Sequence, residues 1–515
     1  MGLGVHLLCV PFLLQWFHPD ERQVLEFAHF WAHGRLHPFL EVSLQLRNQS
    51  VPWAFSWVLR LCDAVSLAHP WAYLVAIQSL IALWSGAGFW ALLVFFREFC
   101  QEFYRKSRLE ISESVFNKAF HALAWIFALF WGFSTLYSRP LLEVLSFPST
   151  ALLLLFVWRG WAFRAGLMGG LTAVIRYPSA LWIMGALFLW LYRHKRIKPL
   201  FAAVVGVGLV VILGGFADWA LYGKFLGSAQ AYWAFNQPHG PVEGLFGNDS
   251  LAVYWHWFEF LFTPWLALVL VPLFAFALLK NPALLLFSAP YIVGHVWTPH
   301  REPRFMIPLS PILVVAVFSL IATRFGSLSK WTARVPRLKP VLKSLLLLHI
   351  LINFIWLPLY LYGQWNSAQG VTLRSYDLMK GPLNGLTRLV TRIDPLIDVF
   401  VPEAVTWGDQ SCVWHRPMPS LAANAQGSVL VLDRDNPANC EWISQVSDLG
   451  FWSLPDSAAR ALERIFRFRA GRLWRCDEAV LKQFCPGGFE YRGKGIDGLP
   501  EPFIVKMMGE NLWRK

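Results

Sequence analysis

Residues 193–218 read RHKRIKPLFAAVVGVGLVVILGGFAD, and this stretch decides the fold class. It opens on a basic run, Arg193-His194-Lys195-Arg196-Ile197-Lys198, continues from Pro199 to Ala217 without an ionisable side chain, and ends at Asp218. Roughly 20 consecutive apolar residues are what a helix needs to cross the hydrocarbon core of a bilayer. A basic run at one end marks the side that stays in the cytoplasm. Stretches of the same kind recur from the N-terminus to residue 362. Clear spans are expected near 3–17, 71–96, 117–133, 199–217, 252–279, 282–297, 305–323 and 341–362, with weaker ones near 51–67, 141–158 and 166–192. The fold class expected is an all-α polytopic membrane protein of about eleven transmembrane helices, followed by a small soluble α+β domain.

Composition agrees. Of 515 residues, 56% are hydrophobic and 15% charged, with 28 Trp and 42 Phe, which excludes an ordinary soluble domain. A net charge of +13 would suggest nucleic acid in a soluble protein. Here much of it lies in short loops between apolar stretches, where basic residues set topology, so membrane lipid is the expected partner and nucleic acid is not. The segment before His18 lacks a basic n-region and a small-residue cleavage site, and reads as a retained helix rather than a cleaved signal.

Two basic stretches orient the chain. These are 193–198 and 324–339, the second with Arg324, Lys330, Arg334, Arg337 and Lys339 and no acid. Lys280-Asn281-Pro282 makes a tight turn on the same side. Counting outward puts 18–50, 218–251, 298–304 and everything after 362 on the opposite face. The helix count within 97–192 stays open by a pair. Two units follow: a multi-pass region, 1–362, and a non-cytoplasmic soluble domain, 363–515. The latter carries Gly, Pro and Asp turns, a strand-like Gly427–Asp433 and an amphipathic run near 457–468. It holds four of the seven cysteines, Cys412, Cys440, Cys476 and Cys485. On an oxidising face these imply one or two disulfides of unreadable pairing, and their spacing does not fit zinc.

The polar motifs gather on that outer face. His18-Pro19-Asp20-Glu21 sets two carboxylates at the mouth of the first apolar helix, where the only earlier His, Asp, Glu, Lys or Arg is His6. Ionisable groups at such a depth are costly without a function. The structural alternative makes Asp20 a helix N-cap and Glu21 a first-turn charge. The segment 18–50 also carries Val24, Leu25, Phe27, Ala28, Phe30 and Trp31 at helical spacing, as a helix lying in the interface would. Further along come Leu40-Glu41 with Arg47-Asn48-Gln49-Ser50, Arg139-Pro-Leu-Leu-Glu143, Asp218-Trp219 with Tyr222-Gly223 and Asn236, and His300-Arg301-Glu302-Pro303-Arg304-Phe305. Asn48-Gln-Ser50 and Asn248-Asp-Ser250 fit the N-glycosylation acceptor pattern.

In their order and spacing these motifs resemble the lipid-linked-mannose-dependent mannosyltransferases that build GPI anchors and the lumenal part of the N-glycan precursor, in the branch of GPI mannosyltransferase III. His18-Pro-Asp-Glu21, Asp218…Tyr222-Gly223…Phe235-Asn236 and His300-Arg-Glu302-Pro-Arg304-Phe305-Met-Ile-Pro308 match the family's pattern, with Arg301 where the family has Lys. Arg176-Tyr177-Pro178 falls where the family has an R-x-P step. Leu40 replaces the tryptophan of a W-E step, and the R-x-x-x-[NS]-x-x-E motif is compressed to Arg139…Glu143. Both departures bear on the acceptor more than on the chemistry. The resemblance covers roughly two thirds of the chain and leaves the region after 362 unmatched.

The resemblance implies a GT-C-like architecture and a polyprenyl (dolichyl) phosphate mannose donor, with a glycolipid or lipid-linked oligosaccharide as acceptor. Inversion at a β-linked sugar in one displacement gives an α product and requires a base for the acceptor hydroxyl. Asp20 is the expected base, with Glu21 as its understudy or tuning partner. His300, Arg301, Arg304 and Arg176 are expected on the donor phosphate, since arginine suits bidentate phosphate contacts. Glu302 is expected to pair with one of these arginines, and Glu143 or Asp218 with Arg176. His18, Glu41, Arg47, Arg139, Glu143, Asp218 and Asn236 are assigned to sugar or acceptor. No cofactor and no obligatory metal is expected. Two other classes stay open: a lipid-linked sugar transporter or flippase, and a catalytically inactive scaffold. Against the first, no internal repeat joins the halves of the chain. The compartment follows the organism: the endoplasmic reticulum membrane with a lumenal active site, or a bacterial inner membrane with a periplasmic one.

Overall fold

The computed structural model describes residues 2–14, 17–33, 44–107, 113–237, 241, 249–298, 300–334 and 338–365, and seven short strands beyond them. Up to residue 365 the described chain is helical. The helices are α1 (Gly2–Cys9), α2 (Pro19–His33), α3 (Ser50–Ala64), α4 (Pro70–Ser107), α5 (Glu113–Leu129), α6 (Trp131–Leu136), α7 (Leu142–Arg159), α8 (Ala162–Ile175), α9 (Leu181–His194), α10 (Leu200–Tyr222), α11 (Gly227–Phe235), α12 (Ala252–Phe262), α13 (Pro264–Leu279), α14 (Pro282–Trp297), α15 (Ser310–Arg334) and α16 (Leu338–Trp365).

Among the described residues, four helical stretches are long and apolar enough to cross a membrane: Pro70–Lys106, Leu142–Arg159, Leu200–Tyr222 and Leu347–Trp365. Counting α12 and α13 as one bent span gives a fifth, and shorter apolar helices accompany them. On α10, Phe201, Val204, Leu213 and Phe216 are exposed, a surface that suits lipid rather than water. The expected span 117–133 breaks at Phe130, between α5 and α6, and two others are interrupted as well. The stretch 166–192 is two helices, α8 and α9, broken at Arg176 and a 3₁₀ turn over Tyr177–Ala180. The stretch 252–279 bends by 115° at Thr263, whose φ of 72° is a costly left-handed backbone for a β-branched residue.

The chain divides into two compact units. One comprises Met1–Leu8, Leu44–Trp53 and Ser79–Leu351. Its core includes Phe89, ringed by Phe127, Phe133, Tyr137 and Phe147. Two helix pairs in this unit approach to backbone contact. A Cβ on Gly166 would lie 2.0 Å from the carbonyl oxygen of Ala203, and one on Gly185 would lie 1.9 Å from that of Phe287. Only glycine fits there, as at close helix crossings in membranes generally.

The other unit comprises Cys9–Ser43, Ala54–Gln78 and Ile352–Lys515. Within it, Gln78 Nε2 donates to the Leu13 carbonyl at 2.9 Å and Arg60 Nη2 to the Trp31 carbonyl at 2.7 Å. His33 and Tyr73 both bond the carboxylate of Asp63. Beyond residue 365 lie β1 (Leu389–Thr391), β2 (Ala404–Trp407), β3 (Cys412–Trp414), β4 (Val429–Asp433), β5 (Cys440–Trp442), β6 (Arg472–Cys476) and β7 (Phe489–Tyr491), in one mixed sheet of order β5-β6-β4-β1-β2-β3-β7. β4 is the strand expected at 427–433, and Cys440 stands opposite Cys476 in the backbone register of β5 and β6. Cys485 and the amphipathic run 457–468 lie outside the described residues.

Gly185→Ala should force α9 and α14 apart, an overpacking cost of about 1–3 kcal/mol. Gly208→Ala, with open space at its Cβ, should leave stability unchanged or slightly raised. Thermal unfolding of the two purified variants checks this: a lower transition for the first only is the expected result.

Candidate active site

The break between α8 and α9 places Arg176 inside the protein, 6% exposed, with extended backbone (φ −149°). A guanidinium there needs compensation. Glu143 supplies it from the first turn of α7, its Oε1 accepting from Arg176 Nε at 3.0 Å. On the other side Arg176 Nη1 lies 3.4 Å from Nε2 of the buried His295 on α14. The third nitrogen, Nη2, is engaged by no described residue. Arg139 is fully buried, four residues before Glu143 at the start of α7.

The His300–Phe305 motif extends this network. Arg304 holds Glu302 through Nε and through Nη2, the latter at 2.8 Å to Oε1, while its Nη1 comes within 3.6 Å of Glu143 Oε1. His300 Nε2 meets the same Glu302 oxygen at 2.8 Å, and its Nδ1 lies 3.3 Å from Asp249. The backbone of Arg301 donates to Asp249 at 3.2 Å and its Nη2 to the Val296 carbonyl at 2.9 Å. Phe305 forms a wall. The guanidinium carbons of Arg176 and Arg304 stand 4.6 Å and 5.7 Å from its ring centre. Tyr291 bonds the Phe305 carbonyl at 2.7 Å and stacks on both Trp182 and His295. The expected pairing of Glu302 with an arginine is present, and Glu143, not Asp218, is the partner of Arg176.

Asp218 belongs to a second cluster. Its Oδ1 accepts from Asn48 Nδ2 at 3.0 Å and the Gln49 amide at 3.3 Å, and its Oδ2 from the Ser228 amide at 3.0 Å and the Ser228 hydroxyl. Tyr222 joins by accepting from Gln49 Nε2 at 2.7 Å and donating to the Arg47 carbonyl at 3.0 Å. Both carboxylate oxygens of Asp218 are thus occupied by protein donors, and the motif clamps the loop before α3 to the end of α10. Asn48 is buried, with its amide nitrogen also bonded to the Gly214 carbonyl, so its acceptor pattern describes an interior residue. Asn236 caps α11, its Nδ2 donating to the Tyr232 carbonyl at 2.9 Å. Glu41 and Asn248 lie outside the described residues.

In the other unit, His18-Pro19-Asp20-Glu21 starts α2. Pro19 takes the first helical position, where its missing N–H costs nothing. Glu21, three residues after His18, reaches back: its Oε1 accepts the amides of Phe17 at 2.9 Å and His18 at 3.3 Å. This is one half of a capping box. Asp20 is therefore not the N-cap but the second helical residue. Its amide donates to His18 Nδ1 at 3.2 Å and its Oδ1 lies 3.4 Å from the same nitrogen. Both carboxylates are buried, Asp20 at 5% and Glu21 at 0% exposure.

A model of the Alg9-like mannosyltransferase family matches residues 3–381. The chain belongs to that family. Among curated relatives, GPI mannosyltransferase 3 of Yarrowia lipolytica is 24% identical over 335 residues, 61% of this chain and 60% of that protein. GPI mannosyltransferase 3 of Candida albicans is 29% identical over 159 residues, 30% of this chain and 31% of that protein. The match thus spans less than two thirds of either relative. In fold, the chain is similar to ArnT from Cupriavidus metallidurans in its apo state, with a TM-score of 0.50 and 11% identity over 93% of this chain and 97% of that one. This is the membrane architecture expected from the family resemblance.

Sequence reasoning missed two members of the arginine network. His295 is the one His, Asp, Glu, Lys or Arg in the apolar run 282–297, a signal that intramembrane histidines generally carry. Asp249 was hidden inside the Asn248-Asp-Ser250 pattern. Removing one partner of the buried Arg176–Glu143 pair, by Arg176→Met or Glu143→Leu, should cost about 3–5 kcal/mol. The double variant should lose less than the two singles combined, which thermal unfolding of the three proteins measures.

Proposed function

We propose that the chain is an inverting mannosyltransferase that moves mannose from a polyprenyl (dolichyl) phosphate mannose to a glycolipid or lipid-linked oligosaccharide acceptor of the GPI-precursor or N-glycan-precursor type. The observation that carries this reading is the seat around Arg176. It is a buried guanidinium fixed by Glu143 and His295 with one N–H face unengaged, beside Arg304 on the same aromatic wall. Within a mannosyltransferase family, a lipid phosphodiester is the anion such a seat suits.

In this reaction the acceptor oxygen attacks the anomeric carbon and gives its proton to a base, the role that the family resemblance assigns to Asp20. The bond from that carbon to the phosphate oxygen breaks, and its electron pair leaves with the lipid phosphate. Arg176 and Arg304 balance the charge that develops on the leaving oxygen. Glu302 and Glu143 hold the two guanidiniums in place beforehand, which lowers the reorganisation needed when the donor arrives. Asp20 is the base rather than Glu21, because the Glu21 carboxylate is committed to two backbone amides at the start of α2. The protein is an integral membrane protein. In a eukaryotic cell the reading puts it in the endoplasmic reticulum membrane, with this chemistry on the lumenal side, opposite the basic loops.

Purified protein in lipid nanodiscs, given polyprenyl-phosphate-mannose and a panel of glycolipid acceptors, tests the proposal. Wild type should transfer mannose. Asp20→Asn should lose about 10²-fold or more, the usual worth of a general base, with donor binding kept. Glu21→Gln should lower the unfolding temperature while keeping more activity than Asp20→Asn. An Asp20→Asn protein near wild-type rate, or a folded wild type that transfers nothing, would sink the reading.

A further inference from the structure

The far end of α9 holds a second site that the transfer chemistry does not use. α9 starts beside Arg176 and ends at His194, so at 1.5 Å per residue roughly 20 Å separate the two places. There, a cavity of about 850 Å³ opens between the ends of α4, α7, α9, α13 and α14 and the middle of α15. Its walls include Phe99, Phe103, Trp158 and Leu320.

The polar lining is one-sided. The single carboxylate, Glu102, is already neutralised: Arg193 grips it with Nη1 at 3.0 Å and Nη2 at 2.6 Å, and Lys106 Nζ adds a contact at 2.7 Å. Arg193 is itself fixed, by its bond to the Trp158 carbonyl and by stacking 3.4 Å from the centre of the Trp158 ring. Lys195 and Lys280 also line the cavity, and neither forms an ion pair with a described residue. Two of the lining residues carry a buried polar atom that lacks any partner. Asn281, 5% exposed, uses its Oδ1 to cap α14 by accepting from the Leu284 amide at 3.2 Å, which leaves Nδ2 without an acceptor. Ser319, 1% exposed, has an unpartnered hydroxyl. Buried donors of this kind are costly unless something satisfies them. Asn281 also stands at the positive end of a sixteen-residue helix.

We propose that this cavity binds a phosphoryl anion, with the phosphate oxygens on Asn281 Nδ2 and the Ser319 hydroxyl, Lys195 and Lys280 balancing the charge, and the aromatic walls receiving an attached acyl chain. Buried donors without acceptors, exposed cations and a neutralised carboxylate select an anion over a cation. The aromatic walls fit an amphiphile, and the phosphoryl chemistry is shared by a phospholipid headgroup and a free phosphate ion.

The test uses delipidated full-length protein in detergent, titrated with dioleoyl phosphatidic acid, with phosphatidylcholine of the same chains, and with inorganic phosphate. Binding is read by thermal shift and by native mass spectrometry. Asn281→Asp is the decisive variant, because it keeps an oxygen to cap α14 and replaces the free donor by a negative charge. Lys195→Gln/Lys280→Gln changes only exposed side chains. Wild type should favour phosphatidic acid over phosphatidylcholine, and each variant should lose about tenfold or more of that affinity, the scale of a charge-assisted hydrogen bond. A shift reproduced by inorganic phosphate and lost in Asn281→Asp assigns the site to the free ion. A shift given by phosphatidic acid alone assigns it to a headgroup. Equal retention of both lipids by wild type, or undiminished phosphatidic acid binding by Asn281→Asp, would overturn the proposal.

Discussion

A guanidinium buried in a membrane protein is the constraint on which the described site turns. Arg176 interrupts what would otherwise be one long helix, and the chain accepts the interruption because each freed group finds a partner. The Arg176 amide still caps the Thr172 carbonyl at 3.2 Å, the Ser179 amide takes the Arg176 carbonyl at 2.8 Å, and Glu143 meets the side chain. The next residue then couples the two polar clusters. Tyr177 reaches the Ser228 hydroxyl, which itself bonds Asp218. Breaking the helix at one arginine thus orients the arginine network and the clamp on the loop before α3 together.

The polar motifs differ in how their side chains are engaged. Glu21 is occupied by two backbone amides, Asp218 by four donors, and Asn48 by a carbonyl and a carboxylate. Such residues cannot be exchanged without loosening a loop, which is reason enough for their place in a motif. Arg176 retains an unengaged nitrogen, and Asp20, held at the second position of α2, does not carry the capping bond. Within His18-Pro19-Asp20-Glu21 the capping role thus falls to Glu21 and not to Asp20.

Membrane class was legible because apolar runs of spanning length announce themselves, as 199–217 does. The start of α2 was legible as a helix start, since Pro19 followed by two acids is a local signal; which acid caps was not, because side-chain reach is decided by rotamers. The division of 166–192 into two helices escaped hydropathy, which averages over one arginine and one proline. The bend at Thr263 carries no glycine to mark it, although Pro264 follows. The partners of Arg176 were narrowed to Glu143 and Asp218 from sequence, but choosing between them needed the packing of α7 against α8. That packing depends in turn on contacts no periodicity reports.

The proposed function requires the arginine network to seat the phosphate of a lipid-linked donor. The most direct measurement is the affinity of purified protein for polyprenyl phosphate against the matching polyprenol, in wild type, Arg176→Gln and Arg304→Gln. The account predicts that wild type prefers the phosphate-bearing lipid by about tenfold or more, as charge-assisted contacts give, and that each variant narrows the gap. Equal affinity for the two lipids, or a gap untouched by either substitution, would contradict it.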